Sequence, residues 1–220
     1  KDDLDAWYCN RLINEAILEL DHRGKGPVHI NVPVPALITW QNKEASDYAK
    51  VQAIKRYNME DVEVLGASRL ASEVNEKKRI LVLAGQGAQE AELEGCLSAF
   101  FERYCCVIHA EHMANISANG RLNIAILSEG LVDAVFDDFL PDLVISFGGT
   151  LGISRNLKEG LRKRSFEHWH LCEDGVVMDA YKSLTRVYEC KARSFFELVN
   201  LHAGNGVKND QVYYNSWLQK

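Results

Sequence analysis

Ile80-Leu81-Val82-Leu83-Ala84 is an unbroken apolar run that ends in Gly85-Gln86-Gly87 and gives way to a helical pattern from about Ala88 to Arg103. A strand without polar alternation is buried on both faces, which happens almost only where helices cover both sides of a parallel sheet. The same unit recurs downstream. Cys105 to Ala110 reads as a strand, followed by a polar loop and a helix from about Ser128 to Phe139. Asp142 to Ser146 is a strand running into Gly148-Gly149, with a helix from Ser154 to Lys163. His168 to Cys172 and Thr185 to Tyr188 supply two more strands, and Ala192 to Leu201 a last helix. Upstream, Val51 to Ile54 reads as a strand and Met59 to Glu76 as a helix. This alternation implies right-handed βαβ crossovers and an α/β fold, a doubly wound parallel sheet of about six strands.

The chain ahead of that domain is different. Trp7, Leu12, Ile13, Ala16, Ile17 and Leu20 recur at helical spacing, and Gly24 and Gly26 stop the helix. Pro27 to Pro33 reads as a short strand between prolines. From Val34 to about Asp47 the periodicity is lost. The expected organisation is therefore a helix and strand over 1–33, a linker over 34–47, a full α/β domain over 48–202, and the start of a second linker over 203–220. Such an order suits an excerpt from the middle of a three-domain protein. The opening Lys1-Asp2-Asp3-Leu4-Asp5 is not a signal peptide, and the absent Met suggests a trimmed chain.

Composition narrows the function classes. The net charge of -6 gives no hint of nucleic acid or an anionic membrane as partner. No apolar run approaches the roughly 20 residues that span a bilayer. The six cysteines include no CxxC pair, and several lie in apolar strands, so reduced thiols and a cytoplasmic location are expected.

Two glycine turns could carry chemistry. Gly85-Gln86-Gly87 follows a buried strand and opens a helix, the setting of a dinucleotide fingerprint whose backbone approaches a pyrophosphate. Glu90 stands where the third glycine of G-x-G-x-x-G belongs, although Glu111 could mimic the acidic residue that holds a ribose. A tight β-to-α turn is the preferred reading. Phe147-Gly148-Gly149-Thr150-Leu151-Gly152 is the second turn, with Ser154 as an N-cap and Arg155 as a minority anion contact. Gly85, Gly87, Glu111, Gly148, Gly149, Thr150 and Arg155 thus outline a vestigial or regulatory crevice. His109 and His112 form HxxH, and His168 and His170 form HxH on one strand face. Neither has a supporting cysteine or carboxylate cluster, so both read as satisfied or exposed histidines rather than metal ligands. No G-x-S-x-G or other nucleophile setting appears, and no catalytic constellation is evident.

Gly26-Pro27-Val28-His29-Ile30-Asn31-Val32-Pro33 resembles the strand that closes the pyrimidine-binding domain of thiamine-diphosphate enzymes. His29 and Asn31 point to the MenD-like synthases of that superfamily. Pro141-Asp142-Leu143-Val144-Ile145-Ser146-Phe147-Gly148-Gly149 followed by Ile153-Ser154-Arg155-Asn156-Leu157 is similar to the MenD-like central domain, and Asp179 and Phe195-Phe196 continue the likeness. One stretch departs. Glu111-His112-Met113-Ala114-Asn115-Ile116 lacks the proline, serine and arginine that such chains commonly carry there.

The resemblance implies a Rossmann-like central domain without catalytic residues, part of an enzyme that binds thiamine diphosphate and Mg²⁺ between its first and third domains in paired subunits. That enzyme joins decarboxylated 2-oxoglutarate to isochorismate in menaquinone biosynthesis. The partners implied are the pyrimidine-binding and diphosphate-binding domains of the same chain, in a homodimer or homotetramer. The activating glutamate and the G-D-G…N motif would lie outside residues 1–220, and Gly204-Asn205-Gly206 does not replace the latter. No cofactor and no activity are expected of this piece alone. The alternatives are a free-standing NAD- or FAD-type nucleotide-binding module and the central domain of an acetolactate-synthase-like enzyme.

Overall fold

The computed structural model describes residues 3–33, 52–59, 62, 66–131, 133–149, 153–204 and 211–220. The chain divides into two compact units, Lys1–Lys55 and Arg56–Lys220.

In the first unit, α1 (Asp3–Leu18) carries the apolar residues at the expected helical spacing. Asn14 is its buried polar residue. Its amide donates to the carbonyl of Gln52 at 3.0 Å, and its Oδ1 accepts from the Ile54 backbone N–H at 2.8 Å. One side chain thus ties an otherwise irregular segment to the helix. Leu12, Ile13 and Ile17 remain exposed along one side. Pro27 to Pro33 is not a strand. Prolines at both ends remove ladder donors, and Val32 is 69% exposed. The predicted linker, 34–47, lies outside the described residues.

The sheet strands, all in the second unit but for Lys55, are β1 (Lys55–Asn58), β2 (Ile80–Ala84), β3 (Val107–Ala110), β4 (Leu143–Phe147), β5 (Glu167–Cys172) and β6 (Leu184–Glu189). Their order is β1-β6-β5-β4-β2-β3, in a parallel six-stranded sheet. The helices are α2 (Ala67–Asn75), α3 (Ala91–Tyr104), α4 (Ile124–Ser128), α5 (Asp133–Phe136), α6 (Arg155–Arg162), α7 (Ala192–His202) and α8 (Val212–Leu218). This is the doubly wound α/β fold that the sequence implies.

The continuous apolar run of β2 is explained by what lies above and below it. Ile80, Val82 and Ala84 enter a core with Leu70, Val74, Leu97, Phe100, Phe195 and Phe196 from α2, α3 and α7. Leu81 and Leu83 enter a second core with Leu157, Leu161, Phe139 and Trp217. Strand residues alternate between faces, so a strand covered by helices on both sides can be apolar at every position.

Some elements lie elsewhere than their patterns suggest. The first strand is Lys55–Asn58, and 52–54 of the expected Val51 to Ile54 strand lie outside it, with Val51 outside the described residues; a polar edge strand gives no apolar run. The helix expected over Ser128 to Phe139 is broken into α4, α5 and a 3-10 turn at Asp137–Phe139, with Gly130 in the break. The tail contains α8, whose Tyr213 and Trp217 are buried four residues apart. The Tyr213 hydroxyl donates to the Phe139 carbonyl at 3.2 Å, and the Trp217 ring meets the Phe139 ring edge-on at 4.7 Å.

Candidate functional site

The strand order reverses between β2 and β4, and ligands of open α/β sheets sit beyond the strand ends at such a point. Here the two glycine turns occupy it themselves. Gly85 N–H donates to the Phe147 carbonyl at 2.8 Å, and Gly149 N–H donates to the Gln86 carbonyl at 2.8 Å. A Cβ on Gly85 would lie 2.2 Å from the Gly149 carbonyl oxygen. Gly148 has φ +81°, and a Cβ there would lie 2.9 Å from the Gly85 oxygen. Both positions need glycine so that the backbones can interlock. Gly87 is different: a Cβ would meet only ordinary contacts, at 3.8 Å and beyond, while its N–H donates to the Met113 carbonyl at 3.1 Å. The N–H groups of Gly85, Gly87 and Gly149 are therefore engaged by the protein's own carbonyls.

Charge works in the same direction. Helix α3 has Glu90 at its N-cap and Glu92 and Glu94 in its first turn. These carboxylates already complement the positive end of the helix. Arg193 pairs with Glu92 and stands 4.0 Å from Glu90.

Two cavities flank the interlocked turns. The first, of about 450 Å³, has Gly85, Gly87 and Gly148 on its wall. The charged residues on its described wall are Glu90, Glu173, Asp174 and Lys191, three acids against one base. Cys172 and Cys190 also line it, and burial pushes both thiols up to about 12. Thiols so protonated are poor nucleophiles and poor metal ligands. All six cysteines are thiols outside any disulfide, and no group of three or more His, Cys, Asp or Glu among the described residues could hold a metal ion.

The second cavity, of about 190 Å³, is lined by Gly148, Gly149, Lys158, Tyr181 and a buried polar cluster on β4 and β5. Register places Ser146 opposite His170, and Val144 opposite His168. Ser146 Oγ lies 2.7 Å from His168 Nε2 and 2.9 Å from His170 Nδ1. A hydroxyl has one proton, so it donates to one ring and accepts from the other. Burial pushes His168 down to about 3, helped by His170, and burial lowers His170 as well. Both rings are neutral at pH 7. The Ser146–His168 distance suits an activated nucleophile, but the chemistry is missing. His168 Nδ1 has no partner among the described residues, so no carboxylate orients the ring or stabilises an imidazolium. A histidine this hard to protonate is a weak base.

The residues expected to form one crevice are thus divided. Gly85 and Gly87 belong to the first cavity, Gly149 to the second and Gly148 to both. Glu111 stands at the N-cap position of a 3-10 turn after β3 without a side-chain cap bond, and Arg155 is the exposed first residue of α6; neither lines either of these two cavities among the described residues. Thr150 lies outside the described residues. Ser154 caps α6 as its position suggests, accepting from the Leu157 N–H at 3.1 Å. Asp179 accepts from the backbone N–H groups of Ser183 and Leu184 at 2.9 and 3.0 Å, which shapes the entry to β6. Sequence alone gives Ser146 no role, and Lys158 only a place among the basic residues of the helix after the second glycine turn, where a solvated face is the default reading. The HxH spacing on β5 and the Gly148-Gly149 turn point to this side, and neither names a hydroxyl partner on another strand.

No family model matches the chain. It is 32% identical over 207 residues to the 2-succinyl-5-enolpyruvyl-6-hydroxy-3-cyclohexene-1-carboxylate synthase of Bacteroides fragilis, which covers 90% of this chain and 36% of that protein. The synthase of the same name from Phocaeicola vulgatus is 33% identical over 206 residues, with 89% and 35% covered. That of Cytophaga hutchinsonii is 25% identical over 225 residues, covering 97% of this chain. The doubly wound domain and this similarity together make the chain a MenD-like segment, spanning about a third of the length of the curated relatives it matches.

Proposed function

We propose that this chain is the non-catalytic central domain of a MenD-like synthase, with the end of its pyrimidine-binding domain, and that it holds the cofactor-binding domains in position. The observation that carries this reading is the match of nine-tenths of the chain to about a third of proteins named as synthases. In this reading 1–33 closes the first domain, 34–47 links it to the central domain over 48–202, and 203–220 leads toward the third. The full enzyme decarboxylates 2-oxoglutarate and adds the resulting carbanion equivalent to isochorismate. Thiamine diphosphate, with Mg²⁺, supplies that carbanion chemistry from a site between the other two domains of paired subunits. The residues described here contribute neither an acid–base pair nor a nucleophile. The enzyme is a cytoplasmic homodimer or homotetramer. No helix of the described residues is long and apolar enough to cross a membrane.

A scaffold role is supported by the switch point, where the backbone fills its own ligand position. The glycine crevice is vestigial for dinucleotides, since its amides are engaged and the adjoining helix end is acidic. The same features weigh against a free-standing NAD or FAD module.

The test begins with the coding sequence on either side of this segment. An upstream strand-borne glutamate and a downstream G-D-G…N motif are expected. The full-length protein with thiamine diphosphate and Mg²⁺ should then form the cyclohexene carboxylate from 2-oxoglutarate and isochorismate, while the 220-residue chain forms none. A reading frame confined to this chain, or a full-length protein without that product, overturns the reading.

A further inference from the structure

Asn119-Gly120 is the one Asn-Gly pair among the described residues; Asn205-Gly206 lies outside them. In such a pair the glycine nitrogen can close a five-membered ring on the asparagine Cγ, with no side chain on the glycine to hinder it. Covalent connection gives this attack a high effective concentration. Asn119 is exposed, and among the described residues neither its side-chain amide nor the Gly120 N–H has a hydrogen-bond partner. Other asparagines are held differently. The Asn115 amide donates to the Gly87 carbonyl at 2.7 Å and that of Asn200 to the Cys96 carbonyl at 2.9 Å, and the bulky Ile116 and Leu201 follow them.

The fold imposes the reactive pairing. Gly120 has φ +80°, and a Cβ there would lie 2.1 Å from Phe101 Cδ2, so no other residue fits. The same turn covers the outer edge of β3, the last strand of the sheet. Ile108 N–H donates to the Gly120 carbonyl at 3.2 Å, and Leu122 N–H donates to the Ile108 carbonyl at 2.8 Å. On the other side of the pair, Asn119 N–H donates to Ser98 Oγ at 3.1 Å. An edge strand stripped of such cover presents unpaired N–H and C=O groups to other chains.

We propose that Asn119 is a site of spontaneous deamidation, and that its isoaspartate product uncovers the edge of β3. The Gly120 nitrogen gives up its proton to water and bonds to Asn119 Cγ, and the side-chain nitrogen leaves as ammonia. Water then opens the resulting succinimide. Cleavage at Cγ gives aspartate, and cleavage at the former backbone carbonyl gives isoaspartate. One water is consumed and one ammonia released, with no change of oxidation state. In isoaspartate the main chain runs through Cβ and Cγ and is one atom longer. Ser98 and Phe101 hold the turn on either side, so the extra atom displaces the Gly120 carbonyl from Ile108. The site does not depend on the chain's place in a synthase.

The test incubates the 220-residue chain at mildly alkaline pH and body temperature, then maps its peptides by mass and fragmentation. Amide-to-acid conversion with isoaspartate is expected at Asn119 and not at Asn115 or Asn200. Asn119→Gln should abolish it there. In the isoaspartate species the Leu122 amide should exchange hydrogen about ten-fold faster, as for the loss of one backbone hydrogen bond. Freshly prepared Asn119→Asp, which adds the charge without the extra backbone atom, should leave that exchange unchanged. The proposal fails if Asn119 stays intact while a synthetic peptide of residues 115–123 converts. Equal exchange at Leu122 before and after conversion would overturn the release of the edge, as would an equal effect of Asn119→Asp.

Discussion

The two faces of β5 have the same backbone and opposite chemistry. Trp169 and Leu171 enter an apolar layer where Trp169 meets Tyr188 at 5.7 Å and Phe195 at 6.4 Å, edge to face. The Arg186 guanidinium, paired with Glu73, covers the same indole at 4.7 Å. One residue away in each direction, His168 and His170 share a single serine hydroxyl and border a cavity. Packing is complete on the first face, while on the second a hydrogen-bonding atom is left over. A strand can therefore anchor a core through its odd residues and hold a polar site through its even ones, without any change of fold.

The largest expected effect tests the packed face. Trp169→Ala should cost about 3–5 kcal/mol by urea denaturation, the range for removing a buried large aromatic. A loss below about 1 kcal/mol would mean that this face is no better packed than the other. Next comes the wall between the cavities. Gly85→Ala forces a methyl against a backbone carbonyl and should cost about 1–3 kcal/mol, again by denaturant midpoint.

The polar face should appear in the pH dependence of stability. His168 is held near 3 in the folded chain against an ordinary 6.5, so between those values the unfolded chain binds the extra proton. Stability is full above about pH 7 and falls as the pH is lowered through that window, by about 1.4 kcal/mol per pH unit for each histidine so held. His168→Gln keeps a neutral donor for Ser146 and removes that histidine's share of the slope; an unchanged slope between about pH 7 and about pH 5 would show that the cluster is not buried as described. The smallest effect belongs to Gly87→Ala, which should change stability by no more than about 0.5 kcal/mol because its Cβ meets open or ordinary contacts. A large loss there would restore a ligand-type role to the second glycine of the turn.

What the sequence revealed follows from where its signals are local. Ile80 to Leu83 and Leu143 to Ile145 identify two-sided burial by themselves, and from them the parallel sheet follows. Edge positions are less legible: Lys55-Arg56-Tyr57-Asn58 is a strand because β6 lies beside it, and Tyr57 is held by stacking on Tyr188 at 5.3 Å. Helix α8 was missed because only Tyr213 and Trp217 are apolar and buried, one helical turn apart, and a single pair makes no periodicity. The glycine turns were recognisable as turns. That they touch each other, and so use up their own amides, depends on the β2–β4 pairing. The Ser146–His168–His170 cluster is likewise a product of register, and a spacing of two along one strand says nothing about a hydroxyl on the next.

The interlocked turns have a mechanical consequence. In many doubly wound domains the reversal of strand order leaves a seam along which the halves can flex around a ligand. Here Gly85 and Gly149 fasten that seam like a rivet, with carbonyls seated too closely for even a methyl group to enter. A load applied to the β2–β3 side passes to the β4–β5–β6 side through backbone rather than through side chains that could change rotamer. That contact holds the two halves of the sheet at a fixed separation where the strand order reverses.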